Sequence, residues 1–255
     1  RAGGAGGDCV HSLAGMDDIR FPPRGSEDAS PALALQGLCK AFGQKIAVNM
    51  LSLTVPTGSI YGMVGPNGAG KTTTLSMATG LLVPDAGRAA VHGTDVWARP
   101  GAAKALRGLE RDVVVARATQ LLHVLDLGGA GRALVADYSA GMRKKVNLAC
   151  ALIHSPSVLV LDEPFEAVDP VSARVIQAIL TDFAADGGTV IISSHVMTTV
   201  QRLCTHVAII DVGRVVAAGT TAQVAAGMDL EERFTQLVGA PEAKEDLSWL
   251  RPSSV

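Results

Sequence analysis

The sequence predicts an α/β protein, a mostly parallel sheet flanked by helices, and three observations carry that prediction. Short apolar runs at Val158–Leu161, Thr189–Ser193 and Val207–Ile210 alternate with helical segments near Pro170–Ala184 and Val196–Leu203. Parallel strands need such crossovers, and the helices then cover both sheet faces. A further apolar run, Ser59 to Val64, leads straight into the glycine-rich stretch Gly65–Gly70 and a helix-compatible segment. Composition agrees: of 255 residues, 48% are hydrophobic but only 4% aromatic, so Val, Leu, Ile and Ala must fill the core.

Taken in order, residues 1–31 read as a disordered extension, Gly-rich at Arg1–Gly7 and broken by Pro22 and Pro23. Leu33, Leu35 and Leu38 suggest a first strand. Ile46–Val55 is β-branched and apolar, closed by a turn at Pro56-Thr57-Gly58. Lys71–Thr79 reads as a helix ended by Gly80. Arg88–Val91 reads as a strand before a His92-Gly93 turn. Asp112–Leu127 places Val114, Ala118, Leu121 and Leu125 on one helical stripe, stopped by Gly128-Gly129. Ser139–Ile153 is a second amphipathic helix, with Met142, Val146, Ala149, Cys150 and Ile153 in its stripe and Pro156 beyond its end. Val215–Ala218 adds an edge strand, and residues 240–255 form a loose tail. The domain proper is therefore 32–239.

Several function classes are excluded early. Net charge is −2, with 18% charged residues, so there is no basic footprint and no nucleic-acid partner is expected. No apolar stretch approaches the roughly 18 residues a membrane span needs. Arg1–Val10 lacks the apolar core of a secretory signal. Cys9, Cys39, Cys150 and Cys204 are far apart and show no metal-binding spacing, which reads as free thiols in a reducing compartment. Isolated His11, His92, His123, His154 and His206 read as ordinary loop or cap residues.

Gly65-Pro66-Asn67-Gly68-Ala69-Gly70-Lys71-Thr72 fits G-x-x-x-x-G-K-[ST] in the strand-loop-helix context the motif requires. Glycines let several backbone N–H groups converge on phosphate oxygens, and the helix N-terminus adds partial positive charge. Lys71 would reach the β- and γ-phosphates, Thr72 would offer its hydroxyl to Mg²⁺, and Thr73 would meet an α-phosphate oxygen. The ligand class is a nucleoside triphosphate.

Val158–Leu161 ends in Asp162-Glu163. A strand buried on both faces would hold these carboxylates at the ligand-binding end of a parallel sheet. Asp162 would steady Mg²⁺ through water. Glu163, pointing away from its neighbour, would orient and deprotonate a water attacking the γ-phosphate. His195 follows the next apolar run, where it would sense the γ-phosphate.

Tyr138-Ser139-Ala140-Gly141-Met142-Arg143 resembles the signature motif of the ATP-binding cassette family, and other motifs follow in that family's order. Phe42 lies where those proteins stack an aromatic ring on adenine. Gly65–Thr73 resembles their Walker A loop, Asp162-Glu163-Pro164 their Walker B segment, Ala167-Val168-Asp169 their D-loop, and His195 their switch histidine. Asp211–Arg214 resembles the turn before their closing strand. Ala140 stands where Gly is usual. The resemblance implies a P-loop NTPase-like fold with an antiparallel β part and a helical subdomain, here about 100–155 and shortened. It also implies ATP and Mg²⁺ as ligands, and a dimer in which Ser139, Ala140 and Gly141 reach ATP held by a second ATPase subunit. A separate transmembrane permease would hold the chain on the cytoplasmic face of the membrane. The Tyr-Ser-x-Gly-Met-Arg form and Leu230–Phe234 are similar to exporter ATPase subunits. Arg143-Lys144-Lys145 reads as a solvated helix face.

One departure stands out. Lys71 and Ser139 are 68 positions apart, and the family spends some tens more there, on a core strand and the Gln of its Q-loop. Ala102–Arg107 instead runs directly into Gly108–Asp112, and Gln120 lies inside a helix. The spacing points to an internal deletion. It sets beside the transporter ATPase two alternatives: a nucleotide-binding module defective in hydrolysis or coupling, and a soluble cassette ATPase not tied to transport.

Overall fold

The computed structural model describes residues 30–99, 110–130 and 134–239. The expectations for residues 1–29, for the junction at 100–109 and for the tail from 240 therefore lie outside the described residues.

Among the described residues nine strands form two sheets. β1 (Leu33–Phe42), β2 (Lys45–Val55), β4 (Ala86–Val91) and β5 (Thr94–Asp95) make an antiparallel sheet in the order β2-β1-β4-β5. β3 (Ile60–Val64), β6 (Val158–Leu161), β7 (Thr189–Ser194), β8 (His206–Asp211) and β9 (Arg214–Thr220) make the second, in the order β6-β7-β3-β8-β9. Its first four strands are parallel, and β9 returns antiparallel through a hairpin. Val212 and Gly213 turn that hairpin with φ of 43° and 73°, the paired left-handed conformation a two-residue hairpin favours. The helices are α1 (Lys71–Ala78), α2 (Arg111–Val124), α3 (Ala140–Leu152), α4 (Pro170–Ala185), α5 (Met197–Leu203), α6 (Thr221–Ala225) and α7 (Leu230–Val238).

The apolar runs have no alternation of their own because both faces of the parallel sheet are covered. Their period of two instead divides each strand between two cores. Tyr61 and Met63 of β3, Ile191 of β7 and Ala208 and Ile210 of β8 face the antiparallel sheet and α1. Ile60, Val64, Val190, Ile192, Val207 and Ile209 face the other way, toward the cluster containing Leu148, Ile176, Leu180 and Val200.

Three expectations need correction. The helix over 112–127 stops at Val124, because Asp126 adopts a left-handed φ of 53°. Its stripe faces inward as predicted, but within the helix it is only half-buried; Leu125 and Leu127 just beyond carry the full burial. In α3, Cys150 is exposed and Leu148 is the buried residue. The third correction concerns β6. It is not enclosed on both sides: among the described residues it pairs only with β7, and Val158, Val160 and Leu161 stay half-buried. A groove of about 270 Å³ runs beside it, walled by Asn147, Leu148 and Ala151 of α3 and by Val160 and Leu161.

Candidate nucleotide site

β3 delivers the chain into the loop at Gly65. A Cβ there would meet the Ile210 carbonyl oxygen at 2.2 Å, so only glycine lets the loop leave the sheet beside β8. Gly70 caps α1 at φ 101°, a conformation costly for any residue with a side chain. Pro66, Asn67 and Gly68 are exposed at the tip, while Gly65, Ala69 and Gly70 are buried.

Lys71 is only 6% exposed. Its ammonium donates to the carbonyls of Gly65 at 2.8 Å and Pro66 at 3.2 Å, and lies 3.9 Å from Glu163 Oε1. Burial holds its pKa below the ordinary lysine value, opposed by the charges of Glu163 and Asp162. A desolvated cation of this kind gains most from an added anion.

The parallel register of β6 and β7 assembles the acidic side. Leu161 pairs with Ile192, so Asp162 and Ser193 emerge side by side. Asp162 Oδ2 accepts a hydrogen bond from the Thr72 hydroxyl at 2.8 Å, and its Oδ1 accepts one from Ser193 Oγ. Ser193 Oγ also accepts from the Glu163 N–H at 2.9 Å. Glu163 has a φ of 46°, left-handed for a residue with a long side chain. That turns its carboxylate toward His195, whose Nδ1 is 3.0 Å from Oε2. Lys71, Thr72, Asp162, Glu163 and His195 thus form one connected set.

The remaining predicted residues lie around this set. Phe42, at the end of β1, is 53% exposed, with Lys40 Nζ 5.8 Å from its ring centre. Its register partner Lys45 is two residues from Ala47, whose carbonyl lies 2.3 Å from a Cβ built on Gly70. The exposed ring therefore stands on the hairpin that borders the loop. Thr73 is half-buried on α1. Ser139 caps α3, accepting from the Met142 N–H at 3.2 Å, with exposed Ala140 and half-buried Gly141 in the first turn. Asp169 caps α4 through Val171 and Ser172, and those bonds, Ser172 foremost, hold its carboxyl below the ordinary range.

Two residues escaped the sequence reading. Ser193 lies two residues before His195 in sequence, and only the strand register shows that it faces Asp162. Lys144, assigned to a solvated face, instead donates to the Glu163 carbonyl and pairs with Glu166 at 3.5 Å. No sequence pattern signals that contact, which depends on where α3 lies against β6.

The pattern of the ABC transporter family matches residues 48–166. The daunorubicin/doxorubicin resistance ATP-binding protein DrrA of Streptomyces peucetius is 34% identical over 219 residues, covering 76% of this chain and 66% of that protein. The Nod factor export ATP-binding protein I of Burkholderia lata is 37% identical over 206 residues, covering 71% of this chain and 68% of that protein. This chain belongs to the ABC transporter ATP-binding proteins. The ABC ATPase fold is seen independently in a solved ATP-binding subunit of an ABC transporter, which superposes with a TM-score of 0.75 over 81% of this chain and 99% of the other, at 24% identity. The chain spans about two thirds of the length of these two curated relatives. As an ABC ATPase it binds ATP, and its reaction class is hydrolysis to ADP and phosphate. No helix among the described residues is long and apolar enough to cross a membrane.

Proposed function

We propose that this chain powers export through a separate membrane permease, as one of a pair of ABC ATPase subunits. The observation that carries the reading is the convergence of Lys71, Thr72, Asp162, Glu163 and His195 at the carboxyl ends of β3, β6 and β7. The phosphate loop receives the nucleotide, and Lys71 exchanges its pairing with Glu163 for the γ-phosphate. Glu163 then takes a proton from the attacking water, steadied by His195. Phe42 offers its exposed face to the base.

The oxygen donors also fit Mg²⁺. The Thr72 hydroxyl and Asp162 carboxylate are hard ligands 2.8 Å apart, and Ser193 fixes the other carboxylate oxygen. When bound, Mg²⁺ would be held by Thr72 and Asp162 and would neutralise charge on the triphosphate.

Ser139 caps α3 and Gly141 lies in its first turn. In this reading they meet ATP held by a second subunit, and ATP closes the pair by favouring the dimeric state. The export names of the relatives favour transport over a soluble ABC ATPase, and in this reading the dimer sits beneath a permease at the cytoplasmic membrane face. Glu163→Gln should abolish phosphate release while ATP binding persists. Equal turnover in this variant would reject Glu163 as the base.

The open edge of β6 favours a second reading, in which the chain binds nucleotide but couples poorly to the permease. Among the described residues no strand beyond β7 pairs with β6, and this reading takes the groove wall there as incomplete for engaging a permease. Permease-stimulated turnover in a reconstituted pair separates the two readings: stimulation supports the coupled exporter, and binding without stimulation supports the uncoupled module.

A further inference from the structure

We infer that Lys144 is a positioning residue for the catalytic glutamate, tying the first turns of α3 to the peptide of Glu163. The inference rests on the proposed role of Glu163 as the base. Three independent contacts define the device. The Lys144 ammonium crosses the upper end of the groove and donates to the Glu163 carbonyl, and it pairs with Glu166 Oε2 at 3.5 Å. One turn earlier on the same helix, a Cβ on Gly141 would lie 3.1 Å from the Ala167 carbonyl, so the helix backbone rests on the same turn. That turn is itself held in an unusual shape: Glu163 and Ala167 take φ of 46° and 58°, and the Glu166 N–H returns to the Glu163 carbonyl at 3.2 Å.

The geometry explains why such a tie is needed. The Glu163 carboxylate reaches Lys71 and His195 only while its backbone keeps the left-handed conformation, which residues with a Cβ disfavour. β6 has no strand on its outer side among the described residues to hold the peptides at its end. Ser193 grips the Glu163 N–H from the β7 side, and Lys144 grips the Glu163 carbonyl from the α3 side. The peptide units on both sides of the Glu163 Cα are therefore fixed by side chains from different elements. Because α3 also begins with Ser139 and Gly141, any displacement of that helix by a nucleotide reaches Glu163 through Lys144.

The test compares wild type, Lys144→Met and Lys144→Arg. Met keeps the stem that lines the groove and removes the donor, whereas Arg keeps charge and donor. For Lys144→Met we expect kcat to fall by about tenfold with KM within about twofold, the pattern of a lost transition-state interaction. Lys144→Arg should recover more than half of the loss. Hydrogen–deuterium exchange on the nucleotide-free chain should show faster exchange at 163–168 in Lys144→Met, with 145–152 unchanged. Wild-type kcat in Lys144→Met, or faster exchange along all of α3 instead of at 163–168, overturns the assignment. If wild type itself releases no phosphate, the hydrolytic reading fails, and the exchange pattern alone decides for or against Lys144.

Discussion

At the scale of single residues, the site is made by a few positions that tolerate no other chemistry. Gly65 is one. Adding a methyl group there drives a carbon against the Ile210 carbonyl at 2.2 Å, and backbone yields less readily than a flexible side chain. Gly65→Ala should weaken ATP binding and cost about 1–3 kcal/mol of stability, the usual range for overpacking. A fluorescent-nucleotide titration with unchanged affinity would remove Gly65 from the cradle. Asp85 tests electrostatics away from the site. The Lys40 ammonium at 2.7 Å, helped by the Ala41 N–H, holds its carboxyl below the ordinary value of 3.8. A lowered carboxyl pKa adds stability that is complete at neutral pH and disappears as pH falls through the folded value. Because the Asp85 carboxylate is about half exposed, Asp85→Asn should cost only about 0.5–1 kcal/mol at pH 7. Denaturant midpoints of the two proteins should converge below pH 3.8; a gap that widened on acidification would reverse the sign of the argument.

At the scale of elements, motif and geometry part company. The loop, the acidic strand end and the histidine were legible because each sits at a strand terminus, and a parallel sheet brings those termini to one edge. Ser193 was not legible, because its role comes from the pairing of Leu161 with Ile192, and register is a relation between strands that neither strand states. Ser193→Ala should remove the hydrogen bonds to Asp162 Oδ1 and from the Glu163 N–H, leaving Asp162 held by Thr72 alone. ATP turnover should drop at least about tenfold, in keeping with the loss of a hydrogen bond to a charged group worth roughly 1.5–3 kcal/mol. Turnover within twofold of wild type would show that the Glu163 peptide keeps its place without Ser193. Helix α2 shows the same limit from another side. Its stripe was read correctly, and Arg117 on the same side reaches the Ile153 carbonyl and Ser155 hydroxyl at 2.9 Å. Yet its helical residues are only half-buried, because periodicity gives the direction of a face and not the depth of what covers it.

At the scale of the whole molecule, stability rests on two cores sharing one sheet. Ile209 is fully buried in the core opposite the antiparallel sheet. Ile209→Ala should cost about 2–5 kcal/mol, read as a lower unfolding midpoint; a loss under 1 kcal/mol would mean that this core repacks freely. The sequence by itself determined the family and the fold class and named the candidate nucleotide-site residues, since these follow from local patterns: apolar runs of strand length, a glycine loop before a helix, carboxylates after a strand. Through the short stretch between Lys71 and Ser139 it also pointed to an internal deletion. Only the tertiary structure decided what surrounds the acidic strand. Among the described residues β6 is an edge strand, a groove lies between it and α3, and Lys144 reaches the Glu163 carbonyl. The reason is physical: strand and loop chemistry is written in neighbouring residues, whereas an exposed edge and a contact 19 residues apart arise only when packing decides which surfaces meet.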